Sequence, residues 1–401
     1  MCEGKNMTTE LELDTASALE RAGRAGAERP FIPVAAPVLA GREKEYVADC
    51  MESGWISSSG KYVELFESSF AEFCGVRHAV ACCNGTVALH LALLALGVGP
   101  GDEVIVPTLT FVATANAVTY CGACPVFVDS EPETWNLDPA HVESKITPRT
   151  KGIIAVHLYG HPAEMDALRR VARRRGLFLL EDAAEAHGAL YRGRRAGSLG
   201  DVAAFSFYAN KIISTGEGGM VVTDDDALAA RMRLLRGQGM DAERRYWFPV
   251  VGYNYRMMNI PAAIGLAQLE RAAWHTQRRR EVAEVYRRLL NDVPQLHGQA
   301  EREWVQHAFW MFTVIMSDEV RADRDALTAR LYERGIETRP VFYPVHSLPP
   351  YREAARGEEF PVAERLARRG FSLPTWAGLS LDDLSYVCER LRECLSEAEQ
   401  S

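Results

Sequence analysis

From residue 78 onward the chain alternates between short apolar runs and longer amphipathic stretches. Runs at 78–82, 103–106, 125–128, 152–156, 178–180, 202–205 and 219–222 are apolar without polar alternation and predict strands buried on both faces. Between them, apolar positions three and four apart predict helices at 87–96, 113–118, 165–175 and 226–235. Two further helices are expected upstream, at 41–50 and 62–73, with Trp55-Ile-Ser-Ser-Ser-Gly60 as the break between them. Buried strands separated by helices imply an α/β fold with a mainly parallel sheet and helices on both faces.

The pattern changes near Ala262. A long helical period begins there and, with an interruption, runs to Leu290, and its Arg278-Arg-Arg-Glu281 stretch reads as a solvated face. Strands at 308–316 and 338–343 and helices at 323–335 and 381–396 follow. A length of 401 residues exceeds one typical core. The expected division is a mobile polar extension over 1–30, a large domain over 31–275 and a smaller α+β domain over 276–401.

Composition narrows the partners. A formal net charge of −9 lacks the basic excess of a nucleic-acid binder. Nine cysteines, an odd count without regular spacing, do not form a secreted disulfide framework. Cys121-Gly-Ala-Cys124 has redox spacing but no second pair and no further ligand nearby, so no metal is expected. No stretch approaches the ~20 apolar residues of a membrane span. The first thirty residues lack an apolar signal segment and carry Glu3, Glu10 and Glu12, so a cytoplasmic protein is expected.

Four segments carry the candidate chemistry. Asn84-Gly85-Thr86 opens the helix at 87, where free N–H groups and a hydroxyl suit an anion; a plain capped turn reads equally from these residues alone. Glu181-Asp182-Ala-Ala-Glu185-Ala-His187 follows an apolar strand, where loops of a parallel sheet line a ligand crevice. An aspartate there keeps a pyridine nitrogen protonated, although an acidic strand-end loop would look the same. Ser206-Phe-Tyr-Ala-Asn-Lys211 precedes Gly216-Glu-Gly-Gly219, placing a lysine in the most apolar part of the sheet pattern; a Schiff-base lysine needs such a desolvated or cationic site. Gly252-Tyr-Asn254-Tyr-Arg256 lies in a loop before an apolar helix and also suits a turn. His90 and His187 read as hydrogen-bonded core histidines.

Taken in this order, the four resemble the DegT/DnrJ/EryC1/StrS family of sugar aminotransferases. Further matching stretches are Trp55-Ile-Ser-Ser, Val156-His-Leu-Tyr-Gly-His-Pro, Thr215-Gly-Glu-Gly-Gly-Met-Val-Val-Thr and Glu337-Thr-Arg-Pro-Val-Phe-Tyr-Pro-Val-His. The resemblance covers the chain from about Ile32 to the C-terminus. It implies fold type I of the pyridoxal 5'-phosphate (PLP) enzymes, the aspartate-aminotransferase-like fold. It assigns Lys211 as the lysine that bonds the cofactor aldehyde, Asp182 as the partner of the ring nitrogen and Phe111 as the aromatic stacked on the ring. Gly85, Thr86 and Ser206 match phosphate binders, and Asn254 a phosphate ligand donated by a neighbouring subunit, which implies a homodimer with shared active sites. Glu185, often Gln in the family, faces the cofactor's phenolic oxygen.

The resemblance implies transamination of a nucleotide-linked keto-6-deoxy sugar with L-glutamate as donor. It runs nearest to the members that aminate GDP-4-keto-6-deoxymannose at C4 to GDP-perosamine. Amination of the 3-keto isomer to GDP-mycosamine is the nearest competitor, and surface-glycan and antibiotic pathways both remain open. A PLP-dependent sugar dehydratase, in which a histidine replaces the lysine, is disfavoured by Lys211. A non-catalytic PLP-binding regulator is disfavoured by the intact lysine, aspartate and phosphate loop. Candidate sugar-side residues are Trp55, Ser57, Ser58, His157, Tyr159, Tyr246, Trp247, Arg339, Phe342, Tyr343 and His346, and packing or turn roles suit each of them as well. Arg339 has the guanidinium fork that suits a diphosphate or carboxylate.

Overall fold

The computed structural model describes residues 30–399, so the expected extension lies, but for residue 30, outside the described residues. Helices α1 (Glu43–Ser53) and α2 (Lys61–Cys74) lead in, each ended by a glycine in the left-handed region, Gly54 and Gly75. The alternating part then gives β1 (His78–Cys82), α3 (Gly85–Ala95), β2 (Glu103–Pro107), α4 (Ala113–Tyr120), β3 (Cys124–Val128) and the short α5 (Pro139–Val142). It continues through β4 (Thr150–Val156), α6 (Met165–Arg175), β5 (Phe178–Asp182), the two-residue β6 (Leu190–Tyr191) and β7 (Arg194–Arg195), β8 (Val202–Ser206), β9 (Gly219–Thr223) and α7 (Asp226–Arg236). Each predicted strand and helix of this part is present, shifted by at most two residues at an end.

The strands form a seven-stranded sheet in the order β1-β9-β8-β5-β4-β2-β3. Strand β9 runs antiparallel to both neighbours, and every other adjacent pair is parallel. Reversal of β9 brings its first residue to the edge where the others end: Gly219 pairs with Cys82 of β1 and with Ser206 of β8. A Cβ on Gly219 would stand 2.2 Å from the Asn84 carbonyl oxygen, so only glycine lets the three chain segments meet. That edge also carries Asp182, the last residue of β5.

After α8 (Asn259–Glu270) and α9 (Ala272–Leu289), a second sheet follows the order β10-β12-β14-β13 and is antiparallel throughout. Its strands are β10 (Leu296–Gly298), β12 (Phe312–Met316), β13 (Arg339–Pro340) and β14 (Gly370–Leu373), with β11 (Val305–Gln306) pairing instead with β6. Helices α10 (Arg324–Glu333), α11 (Pro361–Arg369) and α12 (Leu381–Glu399) complete this part. Helix α9 runs without a break across position 276.

Two expectations are corrected here. The strand predicted over 308–316 begins only at Phe312, because Ala308 and Trp310 donate their N–H groups to Gly160 and Tyr159 (3.0 and 2.9 Å) with Phe309 at φ 48° between them. The strand predicted over 338–343 shrinks to Arg339–Pro340, where proline has no N–H for a second ladder. Helix α11 and strand β14 were not predicted; β14 is only four residues long, yet it pairs with both β12 and β13.

Behind the sheet edge lies an aromatic core. Phe70 is fully buried and meets Phe66, Phe73, Phe205 and Phe207 at centroid distances of 4.9–5.9 Å, with the His187 ring at 6.4 Å. His187 is buried against Phe205 and Phe207 as well, so the core part of the sequence reading holds, but among the described residues neither ring nitrogen has the hydrogen-bond partner expected of it. No helix among the described residues is long and apolar enough to cross a membrane. Because Phe70 joins helix α2 to both strand-end phenylalanines, Phe70→Ala is expected to lower stability by roughly 3–5 kcal/mol. Urea denaturation of the cofactor-free protein measures this, and a loss under about 1 kcal/mol would contradict the packing described.

Candidate active site

The edge where β1, β9, β8 and β5 come together gathers the candidate residues. The side chain of Asn84 caps helix α3, accepting from the Val87 N–H at 3.0 Å, which leaves the Gly85 and Thr86 N–H groups without intrahelical acceptors. Gly85 packs against Ser206 so closely that a Cβ would lie 2.6 Å from the serine Cβ and 3.0 Å from its hydroxyl. Two N–H groups without intrahelical acceptors, the positive end of a helix and the Ser206 hydroxyl therefore lie close together.

Lys211 follows β8 in a turn, its N–H bonded to the Tyr208 carbonyl at 2.8 Å. Its Nζ stands 3.9 Å from Glu185 Oε1 and 3.8 Å from the centroid of the Trp310 ring. Burial pushes the amine below the ordinary lysine range; the Glu185 and Asp182 carboxyls pull it back up, and the Arg279 guanidinium opposes them. Asp182 accepts from the Thr114 hydroxyl at 2.7 Å, and Thr114 is in turn within 3.0 Å of the Thr110 hydroxyl. Burial pushes the Asp182 carboxyl up, against the Thr114 hydroxyl, the Ala184 N–H and the charge on Lys211. Glu185 accepts from the Tyr159 N–H at 2.7 Å, and burial pushes its carboxyl up to about 7.

Phe111 is 56% exposed at the mouth, 5.9 Å from the half-buried Phe342, which stacks on Tyr159 and Trp310. Trp55 (58%), Tyr246 (72%), Trp247 (51%) and Tyr343 (59%) are exposed, with the Arg245 guanidinium 4.9 Å over the Tyr246 ring and that of Arg244 4.2 Å over the Trp247 ring. Ser57 gives its carbonyl to the Asn259 N–H (2.7 Å) and Ser58 its hydroxyl oxygen to the Arg256 Nε–H (3.1 Å). Arg339 is exposed, its guanidinium bonded to Glu337 at 2.7 Å. Asn254 is exposed beside the loop that joins Gly237, to which it pairs by an isolated bridge.

Three sugar-side expectations meet a different placement. His157 is fully buried: its Nε2 lies 2.9 Å from Glu181 and its Nδ1 accepts from the Ala163 N–H at 3.1 Å, so neither nitrogen is free. Glu181 also accepts from the N–H groups of Gly197, Leu199 and Gly200, which makes the pair a closed internal hub. Tyr159 is buried beneath Phe342, its hydroxyl accepting from the Phe342 N–H at 3.3 Å. His346 is within 2.6 Å of the Thr108 hydroxyl and 3.3 Å of Glu364 and stacks on Phe360, which occupies both nitrogens and one ring face.

Thr114, Trp310, Arg279 and Asn259 belong to the neighbourhood but were not singled out in the sequence. Asn259 bonds the Tyr62 N–H and the Trp55 carbonyl at 3.0 and 2.7 Å and so shapes the loop that bears Trp55, Ser57 and Ser58. Only Pro261 and the start of the apolar helix hint at its position; Arg279 hides within an arginine run that reads as a surface face.

The raised carboxyl has a measurable consequence in the cofactor-free protein. Folded Glu185 keeps its proton to about pH 7, whereas a solvated glutamate ionises near 4.5. Between these values the unfolded chain releases its proton first, so the native state loses stability as pH rises through that window. Glu185→Gln should remove this part of the slope. Urea midpoints taken from about pH 4.5 to pH 8 test it, and a slope unchanged by the substitution would refute the assignment.

Comparisons with known proteins identify the family. The model of the DegT/DnrJ/EryC1/StrS aminotransferase family matches residues 37–392. The chain is similar to the GDP-perosamine synthase of Caulobacter vibrioides, with 55% identity over 91% of this chain and 99% of that protein. It is also similar to the GDP-perosamine synthase of Escherichia coli O157:H7, with 49% identity over 92% of this chain and 99% of the relative. The solved structure of S. venezuelae DesV, in complex with a ketimine intermediate, superposes with a TM-score of 0.85 at 40% identity, covering 92% of this chain and 99% of that one. A match of this length, on a fold that brings Lys211, Asp182 and the Gly85 turn to one sheet edge, shows that the chain belongs to the DegT/DnrJ/EryC1/StrS family of PLP-dependent aminotransferases.

Proposed function

We propose that this protein transfers the amino group of L-glutamate to C4 of GDP-4-keto-6-deoxymannose, giving GDP-perosamine and 2-oxoglutarate, with Lys211 as the cofactor-bonding lysine. The observation that carries the reading is the position of the Lys211 amine, desolvated, 3.9 Å from a carboxyl and at the edge that also holds Asp182 and the Gly85 turn. The substrate follows from the relatives, both GDP-perosamine synthases by name.

The residues fit PLP. Gly85 and Thr86 N–H groups with the Ser206 hydroxyl suit its phosphate, and the close Gly85–Ser206 contact leaves no room there for a larger side chain. Asp182 suits the ring nitrogen, Glu185 the phenolic oxygen and Phe111 the ring face. When bound, PLP supplies an aldehyde and an electron-accepting ring.

The remaining work falls to the chain. Lys211 takes a proton from glutamate in the first half-reaction and delivers one to the sugar carbon in the second, a role that needs an amine able to gain and lose a proton near neutral pH. Its buried site serves that need, since burial favours the neutral amine while two carboxyls favour the ammonium. Asp182, held by Thr114, keeps a negative charge facing the ring nitrogen; bringing a cation there offsets the effect of burial on the carboxyl.

The site is completed, in this reading, by a second copy of the chain. Exposed Tyr246, Trp247, Phe248 and Val251 lie on the loop that leads to Asn254, and Trp55 and Ile56 add apolar surface from another loop. Such surface is unusual on a monomer, and a homodimer would cover it and bring Asn254 to the partner's phosphate site. Trp55, Ser57, Ser58, Tyr246, Trp247, Arg339, Phe342 and Tyr343 remain the residues proposed to face the nucleotide sugar.

Purified protein with PLP and L-glutamate should convert GDP-4-keto-6-deoxymannose to a 4-amino sugar located by NMR, and the 3-keto isomer more slowly. Lys211→Ala should lower turnover by at least about 10⁴-fold while still binding PLP non-covalently. Amination at C3, or full turnover by the alanine variant, would overturn the proposal.

A further inference from the structure

One ring from the C-terminal part of the chain reaches the reacting amine. Trp310 lies on the segment that leaves its sheet to dock on the turn Leu158–Gly160, with its N–H bonded to the Tyr159 carbonyl at 2.9 Å. Its indole Nε1–H donates to the carbonyl of Asn210, the residue before Lys211, at 2.8 Å. Its own carbonyl accepts from Arg279 Nη1 at 2.8 Å, and its ring stacks on Tyr159 with an interplanar angle of 16°. Trp310 is 5% exposed, so backbone, indole N–H and ring are all fixed by partners. Against this fixed ring stands Lys211 Nζ, 3.8 Å from the centroid.

An indole presents the strongest aromatic face to a cation, and the attraction grows where water is excluded. A neutral amine gains little from the same face. We infer, resting on the reading of Lys211 as the cofactor-bonding lysine, that Trp310 holds the uncombined Lys211 side chain, seating it on the ring as the ammonium and fixing the backbone that carries it. The other charged groups facing the amine are Glu185 and Asp182, which favour the ammonium, and Arg279, which disfavours it; His187, buried nearby, is neutral at working pH. Trp310 therefore adds to the two carboxyls and opposes burial and Arg279.

This arrangement suits a lysine that must leave a bond and return to it. Between those events a flexible four-carbon side chain would sample many rotamers, and a fixed ring with an anchored preceding carbonyl restricts it to one seat.

The test uses the cofactor-free protein and PLP itself. The initial rate of covalent capture is followed by absorbance between about pH 6 and pH 10, then trapped with borohydride and mapped by peptide analysis. In Trp310→Leu the midpoint of the pH rise should move down by about one unit, so that below the midpoint capture is up to about tenfold faster than in the parent. Trp310→Phe, which keeps a weaker face but loses the bond to Asn210, should fall between the two. With saturating sugar, kcat of both variants should drop while KM changes little. Midpoints that coincide in all three proteins, or rise in the variants, would overturn the inference. Where Trp310→Leu does not fold, the parent and Trp310→Phe decide it alone: a midpoint in the phenylalanine variant at or above the parent's rejects the role. Label on a residue other than Lys211 in the parent would defeat the underlying reading, whereas label on Lys211 with unmoved midpoints defeats only the part played by Trp310.

Discussion

A lysine amine taken out of water and set between carboxyls of raised pKa governs how the rest of this molecule is arranged. Desolvation alone would strip its proton, and a single strong ion pair would lock the proton on. The structure balances the two: Glu185 stands 3.9 Å away and itself keeps a proton to about pH 7, Asp182 is buried and bonded to Thr114, and the buried Arg279 opposes both. Asp182 and Glu185 share one strand-end loop, but Lys211, Thr114 and Arg279 come from three other segments, so the balance exists only once the chain is folded. Its sensitivity follows from the low local dielectric, in which a shift of an ångström changes each contribution substantially.

The sheet makes that convergence possible. Parallel strands deliver their final residues to one edge, and the single reversed strand β9 delivers its first residue to the same edge. The consequence is crowding: Gly219 lies against the Asn84 carbonyl and Gly85 against Ser206, where any side chain would separate the phosphate-binding turn from the lysine-bearing turn. Glycine here is a matter of approach distance, since neither residue has a positive φ. The same edge is closed from the other side by Trp310 and Phe342, which belong to the C-terminal part and lean over Tyr159.

The internal polar hub explains why three attractive candidates are not at the surface of the site. His157, Tyr159 and His346 lie in stretches that match sugar aminotransferases, and each bears a group that would suit a hydroxyl-rich ligand. His157 and Tyr159 are buried and His346 half-buried, and each instead bonds other groups of the fold, which is the commoner use of such residues where unpaired polar atoms are costly. His157 ties the end of β4 to Glu181, and through its own N–H to the Asp182 carbonyl at 3.1 Å, so it supports the site from behind.

Local pattern was enough to read the order of strands and helices from 78 to 236, because a buried strand without polar alternation and an amphipathic helix have different periods in the sequence. It also drew attention to Gly85, Asp182 and Ser206 at element ends and to Lys211 shortly after one, although their roles came from the resemblance of the four segments taken together. It failed for the broken strands at 308–316 and 338–343, where apolar residues serve a docking turn and a proline-limited edge rather than a ladder. Nor did it mark Trp310, Thr114 or Arg279: Thr114 meets Asp182 across 68 positions and Trp310 meets Asn210 across 100. Which side chains turn inward to a shared site, and which are consumed in holding one another, depends on groups brought together across the chain. Sequence spacing encodes the elements; only their packing decides the electrostatic neighbours that set the state of one amine.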